Sequence, residues 1–225
     1  MKTSKKVNYS KMLAPASYLF LGTLAIFAGL GAGLCLAKAV DVPNIKELEK
    51  AIGNNSSTVI NITTDFIKLK KELPVIGRSI ILSGATGGST LDGDNKYKIS
   101  EFNQNLADIT INNMRFQNGH NDAELSGING GGAVCIIKGT TITLNNTDFS
   151  NNTAVSYGGA IYSRGDGNVA NNTLTLEGKT TFTGNKSTKG RGGAIYTWYS
   201  DLTFNGEAKF ENNSSYDNGG AIYFD

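Results

Sequence analysis

The residues able to do chemistry are few and scattered along the chain. Carboxylates work as acid–base pairs or as metal ligands only where the fold gathers them. The one close pair is Asp92-Gly93-Asp94-Asn95, in a glycine-rich stretch where Asp and Asn are ordinary turn residues. His120 is the single histidine, and Asn121-Asp122 beside it reads as loop rather than as a partner orienting a base. Arg191, in Gly190-Arg191-Gly192-Gly193, could act as the base of a polysaccharide lyase only with acids nearby. Gly84-Ala85-Thr86-Gly87-Gly88 has glycines enough for a phosphate loop, but it lacks the lysine and opens no helix. The sequence therefore predicts no catalytic residues, no metal site and no cofactor.

Composition explains why these residues are so thin on the ground. Lys and Arg number 21 against 19 Asp and Glu, a formal charge of +2. That balance argues against nucleic acid as a partner, since nucleic-acid-binding domains carry a clustered basic surplus. The chain has 28 glycines, 25 asparagines and 21 threonines but only 3 prolines in 225 residues. Such a mixture makes tight turns and β-strands rather than long helices. With 39% hydrophobic residues the chain still has the means to build a core.

The first 39 residues read as an export leader. Lys2, Lys5, Lys6 and Lys11 form a basic region, and residues 13 to 36 follow without a charge. Ala37-Lys38-Ala39 then fits a small-x-small cleavage site, with the cut before Val40. The apolar stretch is also long enough to remain as a membrane anchor. Leu34 before Cys35 is bulkier than a lipid-attachment site accepts. Beyond the leader Cys135 is the sole cysteine, so no intramolecular disulfide stabilises the exported part.

An internal repeat supplies the regularity instead. Gly131-Gly132-Ala133-Val134 returns as Gly158-Gly159-Ala160-Ile161, as Gly192-Gly193-Ala194-Ile195 and as Gly219-Gly220-Ala221-Ile222, at steps of 27, 34 and 27 residues. Upstream lies a second anchor: Phe149 with Asn152, Phe182 with Asn185, and Phe210 with Asn213. In the first copy Phe116 is followed three residues later by Gly119 in place of Asn, and Val134 stands in place of Ile. Alternating apolar pairs precede each Phe: Ile109/Ile111, Ile142/Leu144, Leu174/Leu176 and Leu202/Phe204.

Alternation marks a strand with one buried face, and the Phe extends that face. Paired glycines supply backbone angles closed to residues with a Cβ, so the chain turns sharply before Ala-Ile. A period of about 30 residues fits three short strands and three turns, one coil of a parallel β-helix. Stacked coils superpose like on like, which predicts an inner Phe stack, an inner aliphatic stack and an Asn ladder at a turn. The longer step comes from Arg164-Gly165-Asp166-Gly167-Asn168-Val169-Ala170, expected to bulge as a loop.

Residues 40–105 read as the entry to this solenoid and 106–225 as its four repeats. Asn44 with Glu47 is a capping-box pattern, and Ile45, Leu48 and Ile52 form one apolar face before Gly53. This predicts a short helix that caps the first coil. Irregular strands are expected at 58–63, 78–83 and around Thr90-Leu91-Asp92-Gly93. At Asp225 the chain stops just inside a new strand without a cap, so it reads as a piece of a longer protein.

The alternating Gly-Gly-Ala-Ile and Phe-x-x-Asn pairs resemble the repeat of chlamydial polymorphic outer membrane proteins and related autotransporter-type, adhesin-like proteins. The resemblance covers roughly 106 to 225. It implies an all-β, right-handed parallel β-helix passenger, exported to the cell surface or outer membrane. Its partners would be proteins or glycans of host or neighbouring cells. Membrane attachment would come only from the amino-terminal segment or from a carboxy-terminal β-barrel translocator, which this sequence does not contain. The motif residues themselves are expected to build the coil.

A binding surface is expected one position further on. Tyr162, Tyr196 and Tyr223 follow the motif's Ile, with Cys135 in the equivalent place of the first coil. If Ile points inward, alternation turns these rings outward, either as an exposed aromatic ladder continued by Trp198 or as rings that merely cover the coil's flank. The expected function is a non-catalytic adhesin-like module. The alternatives are a structural stalk for a larger surface protein or a polysaccharide-active β-helix enzyme. In a bacterial protein the sequons at Asn61, Asn145, Asn151 and Asn213 would be by-products of Asn- and Thr-rich turns, and a eukaryotic source would change that reading.

Overall fold

Alternation sorts the side chains as a half-buried strand demands. In Thr141–Asn145, Ile142 and Leu144 are fully buried while Thr141, Thr143 and Asn145 face outward. The computed structural model describes residues 37–55, 57–122, 130–167 and 171–225. The expected leader, as far as residue 36, and residues 168–170 of the expected loop lie outside the described residues. Ala37–Asp225 forms one compact unit.

The chain winds as a parallel β-helix with four sheets. Sheet 1 has seven strands, from Ala39–Val42 to Ser200–Phe204, and sheet 2 has six, from Phe66–Lys68 to Glu207–Glu211. Sheet 3 stacks His120–Asn121, Thr153–Ala154, Lys186–Ser187 and Ser214–Ser215. Sheet 4 has five strands, from Ser100–Asn103 to Ile222–Phe224. A complete coil thus has four strands rather than the three expected. The extra one is only two residues long, too short to show an alternation in sequence. Val59–Ile62, Ile80–Ser83 and Ser89–Asp92 realise the three irregular strands expected upstream.

Like superposes on like inside the coils. Phe116, Phe149, Phe182 and Phe210 are in register across sheet 2. Their rings stack nearly parallel with centroids 5.2, 4.9 and 4.8 Å apart. Ile109, Ile142, Leu174 and Leu202 form the neighbouring aliphatic stack in sheet 1. The third stack is polar: Asn152 and Asn185 are fully buried and bond through their side-chain amides, and Asn185 bonds in turn to Asn213. Gly119 stands where the first copy would have its asparagine. Its N–H donates to the Asn152 side chain at 2.8 Å, and a Cβ would meet the Gly132 carbonyl oxygen at 2.2 Å.

The two glycines of each repeat have different reasons. Gly158 has a φ of +56°, open to glycine at little cost. Gly159 has no room: a Cβ would lie 2.3 Å from the Gly193 carbonyl oxygen and 2.4 Å from the Lys186 nitrogen. Backbone from the next coil occupies the space a side chain would need.

The entry is capped as expected. The helix runs Ile45–Gly53, and the Asn44 side chain accepts from the N–H groups of Lys46 and Glu47. Leu48, Ala51 and Ile52 are buried into the same core as Val42 and Ile60. Arg78 from the following coil closes the other end. Its guanidinium donates to the carbonyls of Ile52 at 2.7 Å, Ala51 at 2.9 Å and Ser57 at 3.2 Å.

Candidate binding face

Sheet 4 carries two outward rows of side chains. The first runs Glu101, Cys135, Tyr162, Tyr196, Tyr223, in register from coil to coil. The second runs Asn103, Ile137, Arg164, Trp198. Val134, Ile161 and Ile195 point the other way into the core, so strand alternation puts the tyrosines outside, in a cluster of their own. Tyr162 and Tyr196 stack at 5.6 Å, and Tyr196 and Tyr223 at 5.6 Å.

The ladder is outward but not exposed, which corrects the expectation. Tyr162 retains 5% of its accessible surface and Tyr196 4%, while Tyr223 is half-buried. The cover comes from the residue that precedes each Gly-Gly pair. Tyr157 lies 4.6 Å from the Tyr196 ring and 6.2 Å from that of Tyr162. Arg191 lies 4.9 Å over Tyr223 and donates to its hydroxyl at 2.9 Å. At the equivalent Gly130 a Cβ would come within 2.7 Å of the Tyr162 ring. Tyr162, Tyr196 and Tyr223 therefore stiffen this flank, and the accessible aromatic surface lies in the second row. There Trp198 is partly exposed, with the Arg164 guanidinium 4.4 Å over its ring and Tyr199 at 5.3 Å.

Closed surroundings shift titratable groups of the first row and Lys98 beside it. Burial pushes the Cys135 thiol well above its ordinary range, and the Glu101 charge adds to it. Burial opposes the charge of Lys98, but the hydrogen bond and charge of Glu101 outweigh it and hold the ammonium above its usual value. Burial raises the Tyr162 and Tyr196 hydroxyls, and the hydrogen bond to Asp225 raises Tyr196 further. A thiol held neutral and enclosed is a packing group, not a nucleophile.

The scattered acids and bases meet in separate pairs and turns. Asp92 is occupied by the Asp94 N–H at 2.7 Å, by Gln117 at 2.7 Å and by Asn118 at 3.1 Å. Asp94 takes Lys68 at 2.7 Å and Lys96 at 3.1 Å. Both Asp94 and Asn95 have left-handed backbones, as turn residues do. His120 pairs with Thr153 in sheet 3. Arg191 meets the acid it required in Asp217, 2.9 Å away, in an open ion pair beside Tyr223. Among the described residues no three or more His, Cys, Asp or Glu side chains converge as metal ligands would.

Two residues of this face escaped the sequence reading. Tyr157 precedes a Gly-Gly pair in only one coil, and Tyr199 follows Trp198 at a corner, so neither belongs to a repeating set. A bulky residue immediately before Gly158-Gly159 was the available signal for the cover.

Comparisons with known proteins agree with this geometry. A family model for the Chlamydia polymorphic membrane protein repeat matches residues 146–164, 179–197 and 207–225. Each matched segment runs from sheet 2, through the ladder asparagine, to sheet 4. A curated relative, the "Probable autotransporter YfaL" of Escherichia coli (strain K12), is 38% identical over 91 residues. That match takes in 39% of this chain but only 7% of the relative's length. No solved structure matches. The chain is a parallel β-helix in which three segments match the Chlamydia polymorphic membrane protein repeat.

Proposed function

We propose that the chain is part of an exported, surface-displayed β-helix passenger that attaches its cell to host or neighbouring cells without catalysing a reaction. The observation that carries this reading is that each segment matching the polymorphic membrane protein repeat takes in the sheet 2, sheet 3 and sheet 4 strands of one coil. The likeness to a probable autotransporter supports export and display. A side wall of stacked, registered coils presents equivalent groups at short intervals, and repetition multiplies weak contacts. The tests are saturable binding of the purified chain to cultured epithelial cells and to immobilised glycans, with far-UV dichroism as the control for folding. Saturable binding by β-rich protein supports attachment. Absence of binding by folded protein supports a stalk, and cleavage of polysaccharide would overturn both readings.

A further inference from the structure

Tyr199 combines two properties that rarely occur together. It is 49% exposed, and its backbone has a φ of +46°. Bulky side chains avoid that region, which Gly and Asn tolerate, and an exposed ring gains little packing in return. The same corner, where sheet 4 passes into sheet 1, holds two further left-handed residues with side chains. They are Leu106, which is 82% exposed, and Lys138. Backbone strain kept at exposed apolar positions points to a use outside the fold.

The Tyr199 ring is held in place from two sides. Trp198 stacks against it at 5.3 Å and 29°. On the other flank the glycine turn after Arg164 lets it approach, for a Cβ on Gly167 would come within 2.9 Å of the ring. The Arg164 guanidinium adds hydrogen-bond donors beside the Trp198 ring. Where sheet 1 begins, the outward row Asp108, Thr141, Thr173, Asp201 adds carboxyl and hydroxyl groups in register.

We propose that this corner is a carbohydrate-binding site. A pyranose ring has an apolar C–H face bordered by hydroxyls. The exposed Tyr199 ring, backed by Trp198, provides the rigid aromatic surface for the first, and Arg164 with the Asp201–Thr173 row provides partners for the second. The inference rests on the attachment function above and names the part of the wall that performs it.

Trp198 is the only tryptophan in the chain and reports directly on this site. The experiment screens the full chain against immobilised neutral and sialylated oligosaccharides, then titrates the bound ones while following tryptophan emission. Wild type should show a saturable emission change. Tyr199→Asn relieves the left-handed strain, so it should melt at the same temperature or higher yet bind roughly tenfold more weakly or worse. Arg164→Gln should weaken binding in the same assay. The proposal is overturned if Tyr199→Asn and Arg164→Gln both bind as wild type does, or if emission stays constant through saturation. Attachment to cells without any bound oligosaccharide overturns it too, but leaves the attachment function standing with a protein ligand. Folded protein that binds neither cells nor oligosaccharides overturns both.

Discussion

The side-chain oxygen of Asn185 accepts two hydrogen bonds from Asn152, one from its backbone N–H and one from its amide, each 3.0 Å long. The Asn185 amide then donates forward to Asn213 and back to the Phe149 carbonyl, both at 3.0 Å. One buried side chain thus satisfies groups in the coils on either side of its own.

Removing it should take the buried Asn152 backbone N–H and Phe149 carbonyl away from this side chain in a space closed to water. Asn185→Leu is expected to destabilise the fold by about 3 kcal/mol or more, since each orphaned buried group costs roughly 1–3 kcal/mol. Urea denaturation followed by far-UV dichroism measures this. A midpoint equal to that of wild type would refute the role given to the ladder.

Gly159 and Gly53 should respond oppositely to alanine. Next-coil backbone fills the Cβ position at Gly159, so Gly159→Ala should cost about 3 kcal/mol or more, or prevent folding. Nothing lies within 4 Å of a Cβ on Gly53, the last residue of the helix, so Gly53→Ala should gain about 0.5 kcal/mol. Thermal melts of the two variants beside wild type decide it.

Alkali should destabilise the protein, beginning with Cys135. An unfolded thiol gives up its proton near pH ~8.5, whereas the buried one keeps it. The stability this contributes is complete below the unfolded value. It declines above that value by up to about 1.4 kcal/mol per pH unit. Lys98, Tyr162 and Tyr196 are all raised too, and they act in the same direction at higher pH. Cys135→Ala should therefore move the onset of the alkaline loss upward by about a pH unit or more, towards the range of unfolded Tyr and Lys. Unfolding free energies measured between pH 7 and 10 would show the change of slope.

Arg78 ties the cap to the coil beneath it through three carbonyl groups. Arg78→Ala should cost about 2 kcal/mol, with the loss concentrated in the helix. Amide exchange would reveal it as faster exchange over Ile45–Gly53 than over sheet 2.

The core was legible because it repeats. Phe149 and Phe182 share their neighbours in sequence, and stacking places them in register without any knowledge of the turns between them. The capping helix was legible for a different reason, since Asn44 and Glu47 act within a few residues of each other. The binding face was only half legible. Alternation correctly turns Tyr162 and Tyr196 away from Ile161 and Ile195, but it fixes a direction and not what lies beyond. The cover arises at Gly130, Tyr157 and Arg191, three different residues in equivalent places, so no repeat announces it. Asn172, buried and bonded to the Ile136 carbonyl and to the Thr140 N–H, was missed likewise, because it has no asparagine counterpart in the coils either side.

The asparagine ladder also bears on how such a chain can change in length. Asn152 and Asn185 are separated by 33 residues, Asn185 and Asn213 by 28, yet both steps make the same pair of hydrogen bonds. Spacing between rungs is therefore free, while the rung itself is fixed. Duplication or loss of one whole coil, cut at any equivalent point, brings together surfaces that already match. Recombination between repeats can lengthen or shorten the wall without inventing a new interface, and the corners are left to diversify independently of the rungs.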